Sequence, residues 1–139
     1  MKIAVVYWSS TGNTEAMAQA VVEGAKHAGA EAELFIAAEF DGGKMDEFDA
    51  VAFGCPAMGA EELEDGEFAP MFETCESKLS GKKIALFGSY GWGDGEWMRT
   101  WEENCRDKGA NLVCDSVICQ ETPDDEALSA CRSLGEALA

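Results

Sequence analysis

The first fourteen residues constrain this chain more than any others. Ile3 to Trp8 reads IAVVYW, an apolar β-branched and aromatic run with no polar alternation. A strand with one wet face alternates apolar and polar residues, whereas a continuous run suits a strand buried on both faces. Helices lying on either side of a parallel sheet cover a strand in that way. The run passes with no spacer into S-S-T-G-N-T at residues 9–14. Helical spacing follows from Gly12 to about Ala28, with Met17, Val21 and Ala25 on one stripe and Ala18 and Val22 beside it. A buried strand that turns directly into a helix is the opening unit of an alternating α/β fold.

The alternation continues. Lys2 to Trp8 is the first strand, Gly29 caps the first helix, and Glu31 to Ile36 is the second strand. Asp41 to Asp49 is a polar connection with Gly42-Gly43 and at most one helical turn, and Ala50 to Gly54 is the third strand. Phe68, Met71, Phe72, Cys75 and Leu79 form a helical face after an acidic loop. Lys82 to Gly88 is the fourth strand, Ser89 to Gly95 a glycine-rich loop, and Trp97, Met98, Trp101 and Cys105 mark the next helix. Asn111 to Cys119 is the fifth strand, and Leu128, Cys131, Leu134 and Leu138 the buried stripe of a last helix. The expected fold is a doubly wound five-stranded parallel sheet of order 2-1-3-4-5, in three α/β/α layers. The 139 residues suit one domain over 1–139, with no repeat or linker.

Ten Lys and Arg stand against 27 Asp and Glu, a formal charge of −17. That excess argues against nucleic acid or anionic membranes as partners. It serves solubility, or docking onto basic patches of other proteins, where complementary charge raises association rates. No apolar run is long enough for a membrane span, and Ile3 to Trp8 is too short for a signal-peptide core, so the expected location is the cytoplasm. Six cysteines (55, 75, 105, 114, 119 and 131) contain no C-x-x-C pair and are expected as reduced, mostly structural thiols; no metal site is expected.

In a doubly wound sheet the ligand sits at the carboxyl ends of the strands, where the winding direction reverses. The loops there are Ser9–Thr14, Cys55–Gly66 and Ser89–Gly95, which are also the chain's most unusual stretches. In the first, Ser9, Ser10, Thr11 and Thr14 offer hydroxyls, Asn13 an amide and Gly12 close backbone approach, all at the positive end of a helix. An ordinary helix cap needs one such residue. The loop lacks the G-x-x-x-x-G-K of a nucleoside-triphosphate site, so it suits a terminal monophosphate. Gly88 to Gly93 (GSYGWG) places Tyr90 and Trp92 at the ligand end, suited to covering something flat unless Trp92 is core. In the third loop Met58 is a soft group for one face of a ring and Glu61 an acceptor for a ring N–H. The acids Glu61, Glu62, Glu64 and Asp65 form a solvated loop, with a divalent cation as the rarer use.

SSTGNT, GCPAMGAEELED and LFGSYGWGDGEWM, in that order along the whole chain, resemble the short-chain flavodoxins of anaerobic bacteria. The resemblance implies a one-electron carrier, not an enzyme, with non-covalent FMN. Ser9, Thr11, Asn13 and Thr14, with their backbone amides, would hold the phosphate, with Ser89 adding a contact and Ser10 and Gly12 in the same cofactor-binding loop. Trp92 and Met58 would cover opposite ring faces, Glu61 would accept from flavin N3–H, and Gly91 and Gly93 would donate to O2. Pro56, Ala57 and Tyr90 belong to the same loops, Trp8 would lie near the ribityl chain, and the Gly59–Ala60 peptide would flip on reduction. None of the ten cations falls in the three loops. The resemblance and the charge together imply a low-potential carrier cycling between neutral semiquinone and anionic hydroquinone, a monomer that serves redox enzymes. A flavodoxin-fold quinone or nitro reductase is the enzymatic rival.

Overall fold

The computed structural model describes residues 1–58, 62–91 and 93–139; Gly59, Ala60, Glu61 and Trp92 lie outside the described residues. Its strands are β1 (Lys2–Tyr7), β2 (Glu31–Ile36), β3 (Ala50–Gly54), β4 (Lys83–Tyr90), β5 (Asn111–Leu112) and β6 (Val117–Gln120). The helices are α1 (Asn13–His27), α2 (Gly42–Met45), α3 (Phe68–Cys75), α4 (Glu96–Asp107) and α5 (Asp125–Leu138). Every strand pair is parallel, and the sheet order is β2-β1-β3-β4-β5, with β6 also paired to β4. This is the doubly wound α/β fold that the alternation implied.

The unbroken apolar run of β1 now has its reason. Ala4 and Val6 point into one core with Met45, Phe68, Phe72, Trp97 and Trp101; Ile3, Val5 and Tyr7 point into the other, with Met17, Val21, Cys131 and Leu134. Helices α2, α3 and α4 cover the first face, and α1 and α5 the second. Helix α1 sits unusually close to α5: a Cβ on Gly24 would collide with the Arg132 carbonyl, and one on Gly135 with that of Val21. That contact fixes the axis of α1 and hence where its N-terminus points.

Two strands differ from the sequence reading by more than a residue at an end. The fifth strand is not continuous from Asn111 to Cys119. Leu112 and Val117 pair with Ile84 and Phe87 of β4, so two more residues separate them than separate their partners. The extra length leaves the sheet at 113–116, where the Ser116 hydroxyl donates to Glu102 Oε2 of α4 at 2.7 Å. The fourth strand runs on to Tyr90, so Ser89 and Tyr90 are strand residues and not part of a loop. Their register partners are Cys119 and Gln120, and Gly88 does not break the strand because the Cys55 carbonyl occupies the space a Cβ would need.

Candidate functional site

At the carboxyl ends of β1, β3 and β4 lies a cleft of 230 Å³ lined by Ser10, Thr11, Asn13, Pro56, Ala57, Met58, Ser89, Tyr90, Gly91 and Glu121. A larger concavity of 730 Å³ opens at the other pole, among Asp46, Phe48, Lys78 and Lys82. Its Lys82 ammonium is already committed, donating to the Met45 and Phe48 carbonyls at 3.1 and 2.7 Å. Parallel sheets bind ligands at the carboxyl pole, and the smaller cleft is where three distinct loops converge.

The floor of the cleft is built from the turn between β1 and α1. Gly12 is the N-cap of α1 in the left-handed region, φ +90°, and among the described residues no side chain caps the helix's first turn. The run of hydroxyls is therefore not spent on capping. Ser9 Oγ accepts from the Gly12 N–H at 3.1 Å and shapes the turn. Thr14, 1% exposed, shares a 3.2 Å hydrogen bond with the buried Ser89 hydroxyl, which ties α1 to β4 beneath the cleft. Ser10 and Thr11 remain exposed beside the open helix end. Neutral hydroxyls, an amide and uncapped backbone N–H groups are the donor set of an anion site at a helix N-terminus.

The loop after β3 forms one wall. Its outgoing limb is pinned to β4: the Cys55 N–H donates to the Phe87 carbonyl at 3.2 Å, and Ala57 to Ser89 at 3.0 Å. Trp97 Nε1 donates to the Cys55 carbonyl at 3.1 Å from below. Met58 and Glu62 exchange N–H···O bonds of 2.8 and 2.9 Å, an antiparallel bridge that brings the chain back. Tyr90 forms part of the far wall, its ring against Trp97 at 5.5 Å.

Nine of the expected residues thus line one cleft. Ser9, Gly12 and Thr14 support it without lining it, and Gly93 is exposed nearby at φ +89°. Trp8 stands to one side, between a cavity it shares with Ser9 and another it shares with Met58, and its Nε1 donates to Glu67 at 3.1 Å. The expectations for Gly59, Ala60, Glu61 and Trp92 fall outside the described residues.

Glu64 does not belong to a solvated acidic surface. It is 9% exposed, and its carboxylate accepts from the N–H groups of Gly66, Glu67 and Phe68 at 2.7, 2.8 and 2.7 Å. Burial alone would raise its pKa, but the three N–H bonds outweigh that and hold it below the usual carboxylate range. Sequence reasoning also missed Glu121 and Gln120. Glu121 has φ +59°, the one positive value among described residues other than glycine, and its N–H donates to the Tyr90 carbonyl at 2.7 Å. Gln120 Nε2 donates to the Gly91 carbonyl at 3.4 Å. The left-handed turn brings the end of β6 into the cleft, and a glutamate there carries no sequence signal for it.

The cysteines are free, and burial pushes Cys55, Cys105 and Cys131 up to about 12. No thiolate chemistry is available from them at neutral pH. Among the described residues no cluster of three His, Cys, Asp or Glu is placed to hold a metal, and no helix is long and apolar enough to cross a membrane. Arg99, just past the loop that ends at Gly95, is paired with Asp94 at 3.0 Å.

The sequence profile described as Flavodoxin matches residues 5–135. The chain is 45% identical to the flavodoxin of Megasphaera elsdenii over 140 aligned positions, covering 99% of this chain and 98% of that protein. It is 43% identical to the flavodoxin of Clostridium beijerinckii, with 97% of each covered. The solution structure of the two-electron reduced Megasphaera elsdenii flavodoxin superimposes with a TM-score of 0.89, covering 98% of this chain and 97% of that one.

Proposed function

The chain belongs to the flavodoxin family, and on that premise we propose how it holds its cofactor and what the surrounding charge does. Flavodoxins bind FMN and are electron-transfer proteins rather than enzymes, so this chain is an FMN-binding electron carrier. In our reading residues 1–139 form a single flavodoxin domain.

The FMN phosphate sits at the first turn of α1, held by Ser10, Thr11, Asn13 and the open backbone N–H groups, with Ser9, Gly12, Thr14 and Ser89 shaping the loop. The observation that carries this is the uncapped helix end, φ +90° at Gly12, beneath exposed hydroxyls and beside the cleft. Pro56, Ala57, Met58, Tyr90 and Gly91 form the walls against the ring. Trp92, Gly59, Ala60 and Glu61 complete them on the family resemblance, with Gly93 beside the ring and Trp8 toward the ribityl chain. FMN supplies the one-electron chemistry, and the finer reading is a carrier that works between neutral semiquinone and anionic hydroquinone.

What the chain contributes is an anionic setting. The described part of the cleft wall contains no Lys or Arg, and the whole protein carries −17. Added negative charge there is disfavoured, which lowers the second one-electron potential and makes the reduced protein a strong reductant. The exposed acids Glu62 and Asp65, on the loop that forms the wall, are the docking face for basic patches of redox enzymes. Six unpaired cysteines suit a monomer in a reducing cytoplasm. Stepwise anaerobic reduction of the holoprotein tests the reading: two separated one-electron potentials are expected, with no steady NADPH consumption when a quinone or nitro compound is added. A single two-electron wave, or sustained turnover, contradicts it.

A further inference from the structure

We propose that Glu64 is the positioning residue of the cofactor loop, holding its return limb so that Met58, bridged to Glu62, keeps its place in the cleft wall. The inference rests on the reading above that the wall formed by Met58 faces the ring.

The two limbs of the loop are anchored differently. The outgoing limb, Cys55 to Ala57, is bonded to the sheet through Phe87 and Ser89. The return limb, 62–64, makes no described backbone bond to a strand. It is joined to the outgoing limb by the Met58–Glu62 bridge and by the Glu64 N–H on Cys55 Sγ at 3.4 Å. Leu63 packs against the core, and the limb's polar attachment is the Glu64 side chain. The carboxylate takes three N–H groups at the head of α3, whose N-cap, Glu67, offers no side-chain cap of its own. The Glu64 carbonyl accepts from Ala69 at 2.9 Å as well. Helix α3 is fixed in turn by Phe68, Met71 and Phe72 in the core. Hydrogen bonds to an ionised acceptor are roughly twice as strong as neutral ones. Glu64 therefore clamps a limb that the sheet does not hold to a helix that the core does.

Gly66 gives a second handle. A Cβ there would stand 2.8 Å from Glu64 Oε2, too close for the carboxylate to keep its present place without shifting.

The test titrates full-length apoprotein with FMN and with riboflavin, for wild type, Glu64→Gln, Gly66→Ala and a remote cap variant, Asp41→Ala. Asp41 Oδ1 accepts from the Lys44 N–H at 3.2 Å at the start of α2 and lines no part of the cleft. Glu64→Gln should weaken FMN and riboflavin by the same factor, about tenfold, because the limb meets the ring and not the phosphate; the visible circular dichroism of the bound flavin should change with it. Gly66→Ala should do the same more weakly, about threefold. Asp41→Ala should lower the melting temperature and leave both affinities unchanged.

Affinities within twofold of wild type in Glu64→Gln overturn the inference, as does a loss confined to FMN. If Glu64→Gln does not fold, unchanged affinities in Gly66→Ala overturn it. The cofactor reading fails separately, if wild type shows no preference for FMN over riboflavin.

Discussion

Replacing Gly12 by alanine separates the backbone role of this residue from its place beside the ligand, because Gly29 provides a matched control. Both residues have left-handed φ, +90° and +92°, and a Cβ on either would meet no other atom within 4 Å. They lie at opposite ends of α1. The cost in either place is thus backbone strain alone. An L-residue in the left-handed region costs about 1–2 kcal/mol. The less flexible unfolded chain offsets about 0.4–1 kcal/mol of that. Each variant should lose about 1 kcal/mol as apoprotein, or about 4 °C in Tm for a chain of this size. Their FMN affinities should then diverge. At position 12 the methyl group enters the open space beside the first turn, where we place the phosphate, and FMN should weaken by at least about tenfold, or ~1.4 kcal/mol. Riboflavin should be little affected, and Gly29→Ala should bind both as wild type does. Thermal melts and fluorescence titration of both apoproteins give all the numbers. Equal FMN affinity in the two variants would place the phosphate elsewhere, and an unchanged apoprotein Tm in Gly12→Ala would mean that the left-handed cap is not there.

Glu121→Gly should relieve the strain at φ +59°; after the extra entropy of glycine in the unfolded chain, the net gain is roughly 0.5–1 kcal/mol and a higher Tm, and a fall in Tm would contradict the left-handed turn. Electron transfer to a basic partner protein should slow as salt carries the Debye length below about 10 Å, and a rate constant independent of salt would count against electrostatic docking. Because the Glu64 pKa is depressed in the folded protein, its contribution is complete above the ordinary carboxylate range near ~4.3 and is lost as pH falls through the lower folded value. The stability difference between wild type and Glu64→Gln apoprotein should therefore shrink across that acid window; a difference constant down to the lowest pH would show that the ionised carboxylate is not what holds the helix.

What was legible in the sequence is what burial on two faces writes into it. The IAVVYW run required a strand covered on both sides, and the stripes of α1, α3, α4 and α5 identified their cores because packing selects residues at helical spacing. Hydroxyls and an amide concentrated at 9–14 mark a loop whose donors exceed what a helix cap needs. The misses have tertiary causes. The break in the fifth strand comes with a contact made across the fold, Ser116 to Glu102, which local spacing does not report. Gly88 reads as a strand end because the Cys55 carbonyl that takes its missing side chain's place arrives from the loop after β3. Glu64 groups with its acidic neighbours by charge, and its burial follows from the N–H groups of Gly66, Glu67 and Phe68 turning back onto it, which no spacing in the sequence reports. Glu121 has no signal either, since its role comes from a backbone angle that glutamate rarely adopts.

The central claim is that the 9–14 turn is a phosphate site for a flavin mononucleotide, and titration of the apoprotein with FMN, riboflavin and FAD measures it most directly. One FMN should bind per chain, at least about a hundredfold (~2.7 kcal/mol) tighter than riboflavin, which has the same ring and no phosphate. FAD, whose phosphate is not terminal, should bind far more weakly than FMN. Riboflavin binding as tightly as FMN would contradict the account.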